Sequence, residues 1–354
     1  MIVKVESFDP TLKAELKKKG IEVFSYSRLS TFIGCQKEWY YRYVEKLPTE
    51  PNAYGVAGSI VHSAIEDFML NGVVENNVYN KIVERFQELD IDITNNGRDN
   101  WHLDMEHLST NLGHLLESFS GYDVIDTEKE FLTKYTTDTG EEIWLNGYID
   151  IILKKDDNIY VYDWKTSSDF SKAKKHENAL QLLMYKDALE AEGMKVDNIG
   201  WVMVKYMRTK VGKNRSRKIQ RKDFPLIDKA RLLEIGMSDS EYQLLEVTKD
   251  FADIPTRITE YEIEPYIVEY DSDETEILRL RQFIDNTYKA IQYAKETNTW
   301  EYKDSDSLFY CEHLCGYRDI CPRLAEEIGE VSNNELSTSA SNEVINDILD
   351  DIFG

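Results

Sequence analysis

Residues 160–168 read "YVYDWKTSS", with an aspartate and a lysine two positions apart in an otherwise apolar run. A strand that only has to pack gains nothing from such a pair, so this stretch decides how the surrounding sheet is read. On a strand, side chains two residues apart share a face. Asp163 and Lys165 therefore point together, and Trp164 points into the opposite layer. Just upstream, "EKEFLTKYT" (128–136) and "IWLNGYIDIILKK" (143–155) are short, β-branched and aromatic, and "KKDDN" supplies a hairpin turn. An antiparallel hairpin places Asp150, which ends "NGYID", beside Asp163.

Downstream, "ENALQLLMYKDALEAE" (177–192) reads as a helix stopped by Gly193, and "IGWVMVKYM" (199–207) as another strand. Toward the amino end, "SRLSTFIGCQKEWYYRYVE" (27–45) reads as an aromatic-rich helix with serine at its start. A second helix is expected from about Ser59 to Leu70, bounded by glycines. Helical stretches near 76–90 and 103–120 complete an N-terminal helical section. Long helical patterns follow at about 226–248 and 274–296, then a cysteine-rich segment at 311–321. This order predicts an α/β chain: a small mixed β-sheet flanked by helices. One domain is expected over 1–330, with a helical section at about 27–120, a catalytic sheet core at about 128–210, and C-terminal helices and cysteines at about 226–325. Residues 331–354 form a polar, acidic tail, expected to be disordered up to an amphipathic tip at 343–353.

The 354 residues are 42% hydrophobic and 31% charged, as in a soluble chain with a sizeable core. The amino terminus lacks the apolar stretch of a signal peptide, and no run approaches about 18 apolar residues. The expectation is a cytoplasmic protein, bacterial or phage-borne, with no membrane contact. In that compartment the four cysteines stay reduced, which favours a ligand role over disulfides. A net charge of -24 argues against a generic nucleic-acid coat. The local exception is "KYMRTKVGKNRSRKIQRK" (205–222), with nine Lys or Arg and no acid. A solvated loop is the plain alternative. So unbalanced a run points to a polyanion, with Arg208, Lys210, Lys213, Arg215, Arg217, Lys218 and Arg221 as contacts.

Two carboxylates converging at a sheet end suit Mg²⁺ or Mn²⁺. A lysine next to them can hold or deprotonate a water, or meet a phosphate oxygen, which is the equipment of metal-assisted phosphodiester hydrolysis. Taken alone, the triplet is more simply an Asp–Lys ion pair at a strand end, with Asp150 capping the turn. His62 and Glu66 lie four apart on one helical face; His102, His107, His114, His176 and His313 have no comparable company.

In order, G-x-x-x-H-x-x-x-E (Gly58 to Glu66), "GYID" (147–150), "DWKTS" (163–167) and Q-x-x-x-Y (Gln181, Tyr185) resemble the RecB-like branch of the PD-(D/E)xK nucleases, from about Tyr26 to Cys321. The resemblance implies a restriction-endonuclease-like core. It also implies that His62, Asp150, Asp163 and the Trp164 carbonyl bind Mg²⁺ or Mn²⁺, and that Lys165 positions the attacking water. Gln181 and Tyr185 would sit against the active site and the DNA backbone, with Glu66 behind the ligands. Aspartate stands at 163 where many members carry glutamate. Glu130, in "TEKEF" on the strand before Asp150, is a candidate to reach the site, with a strand-edge charge the plainer expectation.

Cys35 lies in the aromatic helix, and Cys311, Cys315 and Cys321 lie together near the carboxyl end. Four thiolates suit an iron–sulfur cluster or tetrahedral zinc, with free structural cysteines the remaining alternative, and the paired C-x₂-C knuckles of most zinc sites are missing. One distant cysteine plus a C-terminal trio resembles the iron–sulfur members of the RecB-like group, including AddB-type subunits and CRISPR-associated nucleases. That implies a 4Fe–4S cluster stapling the N-terminal helix to the chain's end.

The leading expectation is thus a metal-dependent DNA nuclease, an exonuclease on single strands or DNA ends in recombination, replication or repair. Arg28, Tyr40 and Tyr41 are further candidates for strand contact, with core packing the plainer expectation for the tyrosines. A non-catalytic DNA-binding or scaffold subunit is the alternative, and it predicts a broken metal set. An iron–sulfur redox protein leaves Asp150, Asp163 and Lys165 without a use. The tail's "NDILDDIFG" resembles the acidic, aromatic-tipped tails of single-stranded DNA-binding proteins. It is expected to dock on a protein partner or its own basic groove, or simply to solubilise.

Overall fold

Two long alternating runs joined by short turns build the centre of the molecule. The computed structural model describes residues 2–3, 10–73, 77–91, 106, 108–213, 215–302 and 310–322. The strands are β1 (Ile2–Val3), β2 (Val23–Phe24), β3 (Asp123–Thr136), β4 (Glu142–Lys155), β5 (Asn158–Lys165), β6 (Asn198–Val211), β7 (Arg217–Gln220) and β8 (Tyr261–Tyr270). They form one mixed sheet in the order β1-β3-β4-β5-β6-β7, with β2 on β4 and β8 on β6. Only β2–β4 and β5–β6 are parallel. Parallel pairing of β5 and β6 needs a crossover, and the helix between them supplies it.

The helices are α1 (Pro10–Lys18), α2 (Tyr26–Gly34), α3 (Gln36–Trp39), α4 (Ala53–Asn71), α5 (Val78–Glu88), α6 (Leu112–Glu117), α7 (Lys172–Ala191), α8 (Lys229–Glu234), α9 (Asp239–Thr248) and α10 (Glu274–Thr297). The central strands β3 to β6 fall where they are expected, but the sheet is larger than the small one expected, since β8 forms where no strand is expected, and two expected helices break. The aromatic helix stops at Cys35, whose extended backbone lets its sulfur cap α3 by accepting the Glu38 N–H at 3.4 Å. The chain then continues as a π-helix over Tyr40–Val44. The pattern at 226–248 divides because Ser238 restarts a helix through a capping box with Glu241. Of the stretch expected as helix at 103–120, residues 103–105 and 107 lie outside the described residues, and α6 is the helix formed in the remainder; the whole acidic tail also lies outside them.

Alternation sorts the sheet into two cores. Ile152, Val161, Trp201 and Met203 pack with residues of α2, α7 and α10. Ile151, Tyr162, Trp164, Val202 and Val204 pack with residues of α4 and α5. A third cluster gathers Met207 and Ile219 with Leu232, Tyr242 and Leu245 from α8 and α9. The two ends of the described chain are tied together. Lys37 N–H donates to Glu301 O at 3.0 Å, Glu50 N–H to Gly316 O at 3.2 Å, and the Tyr310 hydroxyl to Glu38 Oε2 at 3.0 Å. No described helix is long and apolar enough to cross a membrane.

Gly147 shows how tightly β4 is built. A Cβ there would meet the buried Phe131 ring at 2.7 Å. Gly147→Ala is expected to lower stability by about 1–3 kcal/mol in urea unfolding, through overpacking of that ring. An unchanged midpoint would show that the ring has room to move.

Candidate active site

β4 and β5 pair antiparallel from Lys155↔Asn158 to Ile151↔Tyr162. The ladder ends one step short of Asp150 and Asp163, which lie close enough for the Asp163 charge to act on Asp150. Asp163 is 2% exposed. Lys165 Nζ lies 2.7 Å from Asp163 Oδ2 but off the line a hydrogen bond requires, so this buried oxygen has no hydrogen-bond partner among the described residues. The Trp164 N–H donates to Asp150 Oδ2 at 2.9 Å. From α7, Gln181 Oε1 accepts from Lys165 Nζ at 3.3 Å, and Gln181 Nε2 donates to the Tyr185 hydroxyl at 2.6 Å. Tyr185 is only 4% exposed, so it braces Gln181 from within the core.

α4 delivers His62. Asn52 caps this helix by accepting from Gly55 N–H at 2.8 Å, and its buried face runs through Ala57, Val61, Ala64 and Ile65. Gly58, one turn before His62, would put a Cβ 3.3 Å from Thr166 Oγ1, so glycine lets the helix come against the end of β5. His62 Nδ1 then lies 3.5 Å from Asp150 Oδ2, and the ring hydrogen-bonds the Trp164 backbone. One turn on, Glu66 Oε1 accepts from the Thr127 hydroxyl at 3.4 Å.

The structure adds a residue that the sequence reading passed over. Single ligand atoms of His62, Glu128 and Asp150 all lie within 4.8 Å of one another, a group able to hold a metal ion. The pattern "TEKEF" carries two glutamates on alternate positions. Glu130 turns away to pair with Lys13, and Glu128 is the one that reaches the site.

Electrostatics marks this sheet end as short of positive charge. The Asp150 carboxyl is pushed up to about 8, first by burial and then by the Asp163 charge. Burial, Glu66 and Asp163 also raise the Glu128 carboxyl. Burial lowers His62, which leaves the neutral imidazole that a metal requires. Uncompensated carboxylate oxygens beside a neutral histidine fit a hard divalent cation.

Elsewhere, Cys35, Cys311, Cys315 and Cys321 line one small cavity with Glu38, Tyr41 and Tyr310. The Cys315 thiol is pushed up to about 12 by burial and by Glu38, with Cys35 and Cys311 adding to the effect. The four cysteines thus share one space, but among the described residues only His62, Glu128 and Asp150 form a group close enough to hold a single metal ion.

The basic segment is a hairpin of β6 and β7, and much of its charge is internally matched. Lys210 pairs with Glu262 at 2.8 Å, Lys218 with Asp169, and Arg217 with the fully buried Asp228. Arg221 corrects the expectation of a phosphate contact: it is 6% exposed and donates to Leu108 O at 2.9 Å and Val204 O at 3.2 Å. Arg208 lies over the Tyr266 ring at 5.1 Å, and Lys213 and Arg215 face solvent. Arg28 lies over the Phe24, Trp39 and Tyr43 rings and pairs with Glu22, and Tyr41 is buried.

A model of the PD-(D/E)XK nuclease superfamily matches residues 23–322, and the chain belongs to that superfamily. No curated protein matches it. Among solved structures it is similar to one titled "Putative exonuclease" from Eubacterium rectale, at 10% identity over 96% of this chain and 98% of that one, with a TM-score of 0.42. It is also similar to SSO0001, at 15% identity over 76% of this chain and 97% of that one, with a TM-score of 0.29. Likenesses this distant say nothing about chemistry.

The raised Asp150 has a consequence for stability without metal. An unfolded aspartate loses its proton near about pH 4, and folded Asp150 keeps its proton up to about 8. Its contribution is therefore full below the unfolded value and is lost as pH rises through the folded one. In chelator, the stability of Asp150→Asn relative to wild type is expected to grow by at least about 1 kcal/mol between pH 4 and pH 9. Urea unfolding at both pH values checks this, and a constant difference would contradict it.

Proposed function

We propose that this metal-dependent nuclease acts on DNA as an exonuclease, working on single strands or strand ends. The carrying observation is the sheet end itself. Buried Asp163 has one oxygen without a hydrogen bond and Lys165 Nζ 2.7 Å from it, and neighbouring Asp150 has His62 at 3.5 Å, within the residues that match the nuclease superfamily. His62, Asp150, Asp163 and the Trp164 carbonyl would hold Mg²⁺ or Mn²⁺. When bound, that cation supplies Lewis acidity and a water of lowered pKa. Lys165, oriented by Asp163 and Gln181, positions the attacking water against the phosphate. Tyr185 acts through Gln181, and Glu66 acts through Thr127.

A cavity of about 380 Å³ beside the end of β5, lined in part by Arg42, Asn52, Tyr54, Thr166, Ser167 and Lys205, supports a nucleotide-sized occupant over a duplex. Arg208, Lys213 and Arg215 are the cations of the basic hairpin best placed to grip the strand. Lys210, Arg217 and Lys218 would have to leave carboxylate partners to do so. The acidic tail would dock a protein partner.

The four cysteines would carry a 4Fe–4S cluster, which puts the chain in the iron–sulfur branch with AddB-type and CRISPR-associated RecB-like nucleases. The cluster would close one domain spanning 1–330 by joining residues already linked through hydrogen bonds, and its role would be structural. The setting we assign is recombination, replication or repair in the bacterial cytoplasm, for a host or a phage.

End-labelled single- and double-stranded DNA, with a circular control and Mg²⁺ or Mn²⁺, tests the activity. Linear single strands should be degraded and circles spared; cleavage of circles would make the enzyme an endonuclease. Asp163→Ala should abolish cleavage, and Lys165→Ala should slow it by about 10²-fold or more while keeping Mn²⁺ bound. Wild-type cutting by Asp163→Ala would remove the chemistry from this site. Purified without oxygen, the protein should be brown and hold about four irons per chain. Cys35→Ala and Cys321→Ala should lose the iron and unfold at lower temperature. Stoichiometric zinc without iron would overturn the cluster.

A further inference from the structure

Glu128 sits inside β3 with a left-handed backbone, φ +47°. Among the described residues, six other non-glycines have positive φ: Lys46, Asp90, Asn111, Asp156, Lys249 and Asn298. All six stand in turns or at helix ends, where such a backbone is ordinary; Glu128 alone lies within a strand. The left-handed region favours glycine, and a glutamate in it is strained unless the surroundings hold it there.

The register shows what the conformation achieves. β3 and β4 pair at Thr127↔Ile151 and Lys129↔Ile149, so Glu128 stands opposite Asp150. From that position its carboxylate comes within 4.8 Å of ligand atoms on both His62 and Asp150. Glu130, two residues on in regular strand, ion-pairs with Lys13. The neighbouring Asp163 contributes a buried carboxylate oxygen that Lys165 meets at 2.7 Å without a hydrogen bond, so its hydrogen-bonding capacity is left open toward the same sheet end.

We propose that Glu128 is an additional ligand for the divalent cation, delivered from β3 by its strained backbone. The inference rests on the metal-site reading of His62, Asp150 and Asp163 and adds a residue to it. A further carboxylate strengthens the hold on a hard cation, since affinity for such ions rises with ligand charge. The strained conformation lowers the stability of the metal-free fold.

Mn²⁺ titration of the full chain, by calorimetry and by electron paramagnetic resonance of the free ion, needs no turnover. Glu128→Gln should weaken Mn²⁺ binding by at least about tenfold, and the Asp150→Asn control should weaken it as much or more. If Asp150→Asn loses Mn²⁺ and Glu128→Gln binds it like wild type, the role of Glu128 is overturned and the site stands. If both bind like wild type, the metal reading of the site is itself overturned. The backbone is tested separately in chelator. Glu128→Gly and Glu128→Ala remove the same carboxylate, but only glycine accepts positive φ freely. The glycine variant should unfold at the higher temperature; equal midpoints would overturn the claim that strain delivers this side chain.

Discussion

The interaction on which the rest of the site depends is the one between buried Asp163 and Lys165. A carboxylate this deep is costly unless a charge answers it, and Lys165 does so at 2.7 Å without a hydrogen bond to the near oxygen. Burial and then the Asp163 charge push the Asp150 carboxyl far above the usual carboxylate range, and Lys165 offsets only part of this. Glu128 is raised for the same reasons, and His62 is kept neutral by burial. Each of these shifts has the sign that a divalent cation would reverse or exploit.

That charge arrangement is held from both sides of the sheet. On one side α7 supplies Gln181, which bonds Lys165 and is itself braced by the buried Tyr185. On the other, α4 approaches closely enough at Gly58 for His62 to reach Asp150 and the Trp164 backbone. Trp164 is central to both, since its ring packs in the α4 core while its N–H steadies Asp150. The links between residues 36–50 and 301–318 fasten the two ends of the fold to each other. The cysteine cavity lies among those links.

A net charge of -24 sits oddly with a polyanionic substrate until the charge is placed. The concentrated basic segment becomes a hairpin in which Lys210, Arg217 and Lys218 each have a carboxylate partner and Arg221 is internal. A run of cations in a sequence therefore overstates the positive surface it produces, because folding brings acids from β8 and from the 169 and 228 regions against it.

The sequence by itself determined the strands around Asp150 and Asp163, the crossover helix carrying Gln181 and Tyr185, and the placing of His62 and Glu66 on one helical face. All of these follow from periods of two and of 3.6, which act over neighbouring residues. The same periods cannot separate the two glutamates of "TEKEF", since a regular strand puts both on one face. Only the tertiary structure separated them, by turning the Glu128 backbone left-handed opposite Asp150 and giving Glu130 to Lys13. It likewise broke the aromatic helix at Cys35, buried Arg221, and gathered Cys35 with three cysteines almost 300 residues away into one cavity. Local pattern carries which face a residue occupies. Which distant charge it meets there, and how much water remains, is decided by packing between segments far apart in the chain.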